Sequence, residues 1–202
     1  MPPTDLHLVL HGVAIKKHGT AEAVAAVTGL QPETVAGLLA EALEKGRVVE
    51  TKGAYMLTPA ARMALDGEYS RVYGEERGDT SFTSAYEVFE AVNRDLKQLM
   101  TDWQTVEIAG ETVANDHADA DYDAKIIDRL GDLHERAEGM LVTLATALPR
   151  LTIYKDKLLA ALEKAEDGET DWVSAVKIDS YHTVWFELHE DLLRVLGRVR
   201  EE

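Results

Sequence analysis

His182, Phe186 and His189 fall on one face of a helix, and Tyr181, Trp185 and Leu188 fall on the neighbouring face. Aromatic walls with a few polar groups suit a small organic ligand. Trp103, His182, Trp185 and His189 are therefore the candidate ligand-binding set, between the Phe82–Trp103 and Tyr181–Val199 segments. The same pattern also serves packing histidines at a helix seam, which is its commoner use. A second constellation runs from Asn115 through His117 to Asp119, Asp121 and Asp123. The aspartates begin like a calcium loop, but position six is Ala124 instead of glycine and position twelve is Leu130 instead of a bidentate glutamate. The stretch fails as an EF-hand; its commoner reading is a solvated acidic loop whose last aspartates suit the start of a helix, and a hard-cation site assisted by His117 is the alternative. His134-Glu135-Arg136 lacks the second histidine four residues on that a zinc protease needs, and with Asp128 and Arg129 it reads as an exposed, ion-paired helix face. Phosphate loops, dinucleotide fingerprints, nucleophile elbows and kinase signatures are absent from the sequence. Neither an enzyme nor a cofactor is expected.

The chain of 202 residues carries a net charge of −16, which argues against general affinity for nucleic acid or anionic membrane. The charge is unevenly placed. Residues 1–77 sum to −2 and residues 78–202 to −14, so the two stretches are read as separate domains. The polar, glycine-flanked stretch Gly74–Asp79 marks the boundary. Zero cysteines exclude a disulfide scaffold and a thiolate metal site. Met-Pro-Pro-Thr-Asp at the start has no apolar leader, and no run of apolar residues is long enough to span a bilayer, so a cytoplasmic location without membrane partners is expected.

Residues 1–77 read as three helices and a hairpin. Leu6, Val9, Leu10 and Val13 precede a stop at Lys16-Lys17-His18-Gly19. Thr20 caps a second helix, and Pro32 opens a third through Val35, Leu39 and Leu43. The period then changes. Arg47–Thr51 and Ala54–Leu57 are separated by Lys52-Gly53 alone, the spacing of a tight hairpin. Thr58-Pro59 begins another helix.

This order, with Thr28-Gly29-Leu30 at the turn, Pro32-Glu33-Thr34-Val35 opening the third helix and Leu43–Val49 leading into the hairpin, resembles the winged helix-turn-helix of MarR-like and PadR-like bacterial regulators. The resemblance implies a third helix that enters the major groove and a wing that approaches the backbone. It assigns DNA contacts to Lys16, Lys17, Gln31, Thr34, Lys45, Arg47 and Lys52. One departure is plain. The outward positions of the third helix include Glu33, Glu41 and Glu44, where cations and amides are expected to grip phosphates and read base edges.

Residues 78–202 read as four amphipathic helices along Phe82–Trp103, Tyr122–Leu148, Leu151–Leu162 and Val184–Val199, with a polar loop through Ile108-Ala109-Gly110. The expected fold is mainly α: an N-terminal winged helix, then an antiparallel helical bundle that dimerises. The expected function is a homodimeric regulator of transcription that binds operator DNA and senses a small-molecule effector. The alternative is a winged-helix interaction module or regulatory subunit that does not bind DNA.

Overall fold

The computed structural model describes residues 2–108 and 110–200. The protein is mainly helical with two small antiparallel sheets. It divides into two compact units, Met1–Thr83 with Glu187–Glu202, and Ser84–Phe186. Residues 187–202 thus group with the N-terminal stretch, whereas the charge pattern had placed all of 78–202 together. No single helix among the described residues is long and apolar enough to cross a membrane.

In the first unit, α1 (Asp5–Lys16), α2 (Ala21–Thr28) and α3 (Pro32–Glu44) are followed by β1 (Val48–Thr51), β2 (Ala54–Leu57) and α4 (Pro59–Val72). The hydroxyls of Thr4, Thr20 and Thr58 accept backbone N–H groups at the starts of α1, α2 and α4, answering donors that a helix start leaves unpaired. Gly29 ends α2 at φ 74°, and the chain turns by 117° into α3. A side chain at that φ would be strained, which is why glycine stands there. Strands β1 and β2 pair in the register Val48↔Leu57 to Thr51↔Ala54, and Lys52 and Gly53 both take positive φ, as a type I′ turn requires. A backbone bridge joins Gly19, ahead of α2, to Tyr55. Val9, Val13, Val24, Val35, Leu39 and Leu65 are buried together in this unit's core.

Gly74–Gly78, expected as a polar boundary, is a helical turn, α5. Helix α6 (Thr80–Gln104) starts on the Asp79 carboxylate, which accepts the Ser81 N–H at 2.7 Å. In the second unit the expected loop through Ile108-Ala109-Gly110 is instead the turn of a second hairpin, β3 (Thr105–Ile108) with β4 (Glu111–Ala114); its Ala109 lies outside the described residues. Thr-Val-Glu-Ile alternates with period two, Glu-Thr-Val-Ala does not, and Gly110 at φ 84° supplies the reversal. Polarity alone had suggested a loop.

Helix α7 (Ala120–Ala147) runs antiparallel to α6: Arg129 meets Asp102 at 2.7 Å and Arg136 meets Asp95 at 2.8 Å, so one number rises as the other falls. A short 3-10 turn leads to α8 (Thr152–Glu166), which packs on α7, and α9 (Asp171–Ser174) packs on α8. The last helix, α10 (Tyr181–Leu196), ends where Gly197 takes φ 67°. Val199, expected inside that helix, lies beyond it and is exposed.

Candidate functional site

The candidate interface of the first unit is the outward side of α3 with the neighbouring hairpin. Gln31, Glu33, Thr34, Gly37, Ala40 and Glu44 are exposed on it, while Val35, Leu39 and Ala42 face the core. The cations assigned to phosphate contact are in different circumstances. Lys16 is turned onto Glu187 at 2.5 Å and is only 14% exposed, so its charge is already neutralised. Lys45 is ion-paired with Glu41 one turn back. Its hydrogen bond holds the Glu41 carboxyl below the usual carboxylate range, and Arg47 acts in the same direction from further off. Lys17, Arg47 and Lys52 are exposed. Lys45 is thus the assigned cation that an α3 carboxylate holds, whereas Lys16 is held by Glu187 of α10.

The candidate ligand set is distributed over separate packing environments. Trp103 is buried with its ring 4.5 Å from that of His117. Trp185 stacks on Phe89 at 4.7 Å, lies parallel to Tyr181, and donates its indole N–H to Asn93 Oδ1 at 3.1 Å. His182 is half-buried, and burial lowers its pKa. His189 is buried. The ring partners of the two tryptophans lie outside the set.

The Asn115–Asp123 stretch is tied down by side chains. Asp123 is buried; its carboxylate meets His117 Nδ1 at 2.9 Å and accepts from Asn115 Nδ2 at 3.0 Å. Asn115 also donates to the Trp103 carbonyl, and its Oδ1 accepts the His117 N–H, holding His117 at φ 58°. Asp119 caps α7 by accepting the N–H groups of Asp121 and Tyr122. His117 Nε2 has no hydrogen-bond partner among the described residues, and His117 lines a cleft of about 360 Å³ together with Asp128, Glu166 and Thr170. A ring held this way is oriented as a general base would be, but no hydroxyl nucleophile bonds to it among the described residues. What the geometry does is fasten the segment after β4 to the end of α6 and the start of α7. No group of three or more histidines and carboxylates is placed to hold a metal ion among the described residues.

His134 corrects an expectation. Its neighbours Glu135 and Arg136 are exposed, but the imidazole is buried and meets the Tyr181 hydroxyl at 3.2 Å. Burial lowers its pKa, against a smaller upward pull from Glu138. Position 134 falls in register with the buried positions 130, 133 and 137, so the helix turns it inward.

A polar cluster that sequence reading missed lies inside the first unit. His11, 1% exposed, meets the Tyr69 hydroxyl through Nδ1 at 2.7 Å and Asp191 through Nε2 at 3.0 Å; Asp191 is itself fully buried. His7 meets Glu68 at 3.1 Å, and the rings of His7, His11, Tyr69 and Tyr73 pack against one another. The available signal was the paired i, i+4 spacing of His7 with His11 on α1 and of Tyr69 on α4 with Tyr73, which caps its end. Nothing in the spacing pointed to Asp191.

Compared with known protein families, with curated proteins and with solved structures, the chain matches none of them.

Proposed function

We propose that the first unit is a winged helix-turn-helix whose α3 face docks a basic protein surface, so that the chain acts as a regulatory interaction module. Support for the winged form comes from the element order, from the Gly29-Leu30-Gln31 turn with its 117° change of direction, and from the hairpin after α3. Helix-turn-helix pairs cross at about 90–120° over such turns. One observation carries the choice of partner: Glu33, Glu41 and Glu44 crowd the helix that would enter a groove, and Lys45 is bound to one of them. DNA presents a dense line of negative charge, so each of these carboxylates opposes approach. A basic protein surface is attracted by the same residues, with salt-sensitive association.

Fluorescence anisotropy of labelled duplex DNA tests this directly. Non-specific DNA binders reach dissociation constants of roughly 10⁻⁴–10⁻⁶ M at physiological salt, and this protein should fall at or beyond the weak end. Submicromolar affinity for duplex would overturn the reading in favour of a second one, a dimeric operator-binding regulator. That second reading has its own support in the exposed Arg47 just before the hairpin and Lys52 in its turn. It requires two copies to read paired half-sites, and it predicts that each lost phosphate contact reduces the log–log salt slope by roughly 0.9. Arg47→Glu and Lys52→Glu would then weaken specific and random duplex alike, whereas Gln31→Ala and Thr34→Ala would mainly relax sequence preference.

A further inference from the structure

We infer that the outer face of α4 docks a second copy of this chain, the two helices lying antiparallel about a two-fold axis at Ala64. Ala61, Leu65, Tyr69 and Val72 are the buried residues of α4, so the helix is fastened to the core along one side only. Ala60, Met63, Ala64 and Gly67 are exposed on the other side. Met63 is 76% exposed, in the middle of that face. A lone exposed methionine is ordinary, but this one does not stand alone. On the same face opens a cleft of about 260 Å³, lined by Ala60, Ala64 and Leu65 together with Lys45, Arg47 and Glu68.

The order of charges along α4 selects the occupant. Residues four apart share a row on a helix. Arg62 and Asp66 form the row on one edge of the exposed face, and Ala60, Ala64 and Glu68 form the row on the other edge. In an antiparallel pair related by a two-fold axis, each row meets its own copy running the other way. With the axis at Ala64, Arg62 comes opposite Asp66 of the second copy, and Asp66 comes opposite Arg62 of the second copy. On the other row Glu68 comes opposite Ala60 of the second copy, which shares its cleft with Arg47. One axis therefore sets opposite charges against each other on both edges. Between the edges, Met63 falls against Ala64 and Gly67 of the second copy, where short side chains leave it room.

The carboxylates involved have neighbours within the chain already. Asp66 stands 3.7 Å from Arg194 and Glu68 meets His7, but their side chains are 55% and 48% exposed, and a carboxylate accepts more than one hydrogen bond. Net charge also favours this stretch. Residues 1–77 sum to −2, so copies approach here with far less repulsion than the −14 of residues 78–202 would impose on a contact through the bundle. Exposed ion pairs contribute little each, and one helix face is smaller than the roughly 800 Å² per partner of a standard interface. The dimer is accordingly weak, with a dissociation constant of about 10–100 μM. Because α3 is not part of this contact, the inference stands whatever the α3 face binds.

Sedimentation velocity of the full chain, from about 1 to about 300 μM, tests the face. The sedimentation coefficient should rise with concentration from that of one chain to that of two. Met63→Arg brings two cations together at the axis and should weaken association about tenfold or more, while the circular dichroism spectrum stays unchanged because the side chain is exposed. Arg62→Asp and Asp66→Arg should each abolish association when alone, since each sets like charges opposite each other. Mixed in equal amounts, the two variants should associate again, because every opposed pair is then a carboxylate against a guanidinium. A change in folding stability alone would not be undone by mixing. A chain that stays monomeric over the whole range would overturn the inference. So would a dimer that Met63→Arg leaves intact, or a mixture of the two charge variants that stays monomeric.

Discussion

A histidine meets an aspartate in each unit, at nearly the same separation and in opposite surroundings. His11 and Asp191 stand 3.0 Å apart with 1% and 0% of their side chains exposed. His117 and Asp123 stand 2.9 Å apart, but the imidazole is 38% exposed and only the carboxylate is buried. In the first pair both groups have left water, and protein atoms answer what water would have bonded: the Tyr69 hydroxyl meets the other ring nitrogen. In the second pair the imidazole keeps its solvent, and Asn115 supports the carboxylate. Equal distances thus describe unequal commitments. A buried pair is costly to break because one charge is stranded, while a half-exposed pair lets water replace the missing partner.

The largest effect should follow Asp191→Ala. Removing the buried carboxylate that meets His11 Nε2 is expected to cost about 2–3 kcal/mol in urea unfolding followed by circular dichroism. A loss below about 1 kcal/mol, the size of an exposed pair, would erase the distinction between the two sites. Asp123→Ala should rank second, at about 1–3 kcal/mol, because Asn115 and His117 both lose a partner. His117→Ala should cost less than Asp123→Ala, since the carboxylate left behind keeps its bond from Asn115. If the order of those two variants is reversed, the imidazole and not the carboxylate organises the segment.

Acid should sharpen the contrast from another side. Burial lowers the pKa of His134 and of His182, so the unfolded chain takes up protons before the folded one. Their contribution to stability is whole above the unfolded value of about 6.5 and is lost as pH falls through that value towards the folded ones. Thermal midpoints measured from about pH 7.5 down to about pH 5 should therefore decline, and His134→Gln should flatten the decline. An unchanged slope in that variant would mean that His134 is not among the groups responsible. The smallest effect concerns the first unit's hairpin. Lys52 sits at φ 54°, a position that asparagine tolerates better, so Lys52→Asn should add roughly 0.5 kcal/mol without altering the second unit. Differential hydrogen exchange of amides in 48–57 against those in 84–186 checks both halves of that statement.

Legibility in the sequence followed the range of the interaction involved. Thr20, Pro32 and Thr58-Pro59 marked helix starts, and Lys52-Gly53 marked a reversal, because caps and turns depend on residues within one turn of each other. The acidic character of α3 was equally visible, since exposed positions recur with the helical period. The second hairpin was missed because its strands are four residues long and mostly exposed, leaving no apolar alternation strong enough to separate them from a polar loop. His134 was misplaced for a related reason. A polar residue followed by two charged ones looks exposed until a hydroxyl such as that of Tyr181 arrives to satisfy it.

What the sequence determined by itself was therefore local: which segments coil, where they start and stop, which side of α3 carries glutamates, and how strongly acidic the chain is. Tertiary structure alone decided which charges remain available. Lys16 is neutralised by a glutamate 171 positions away, and His11 is buried against an aspartate 180 positions away. No periodicity couples residues at such separations. The pairing exists because folding removes those groups from water, and a desolvated charge must find whatever opposite charge the packing brings beside it.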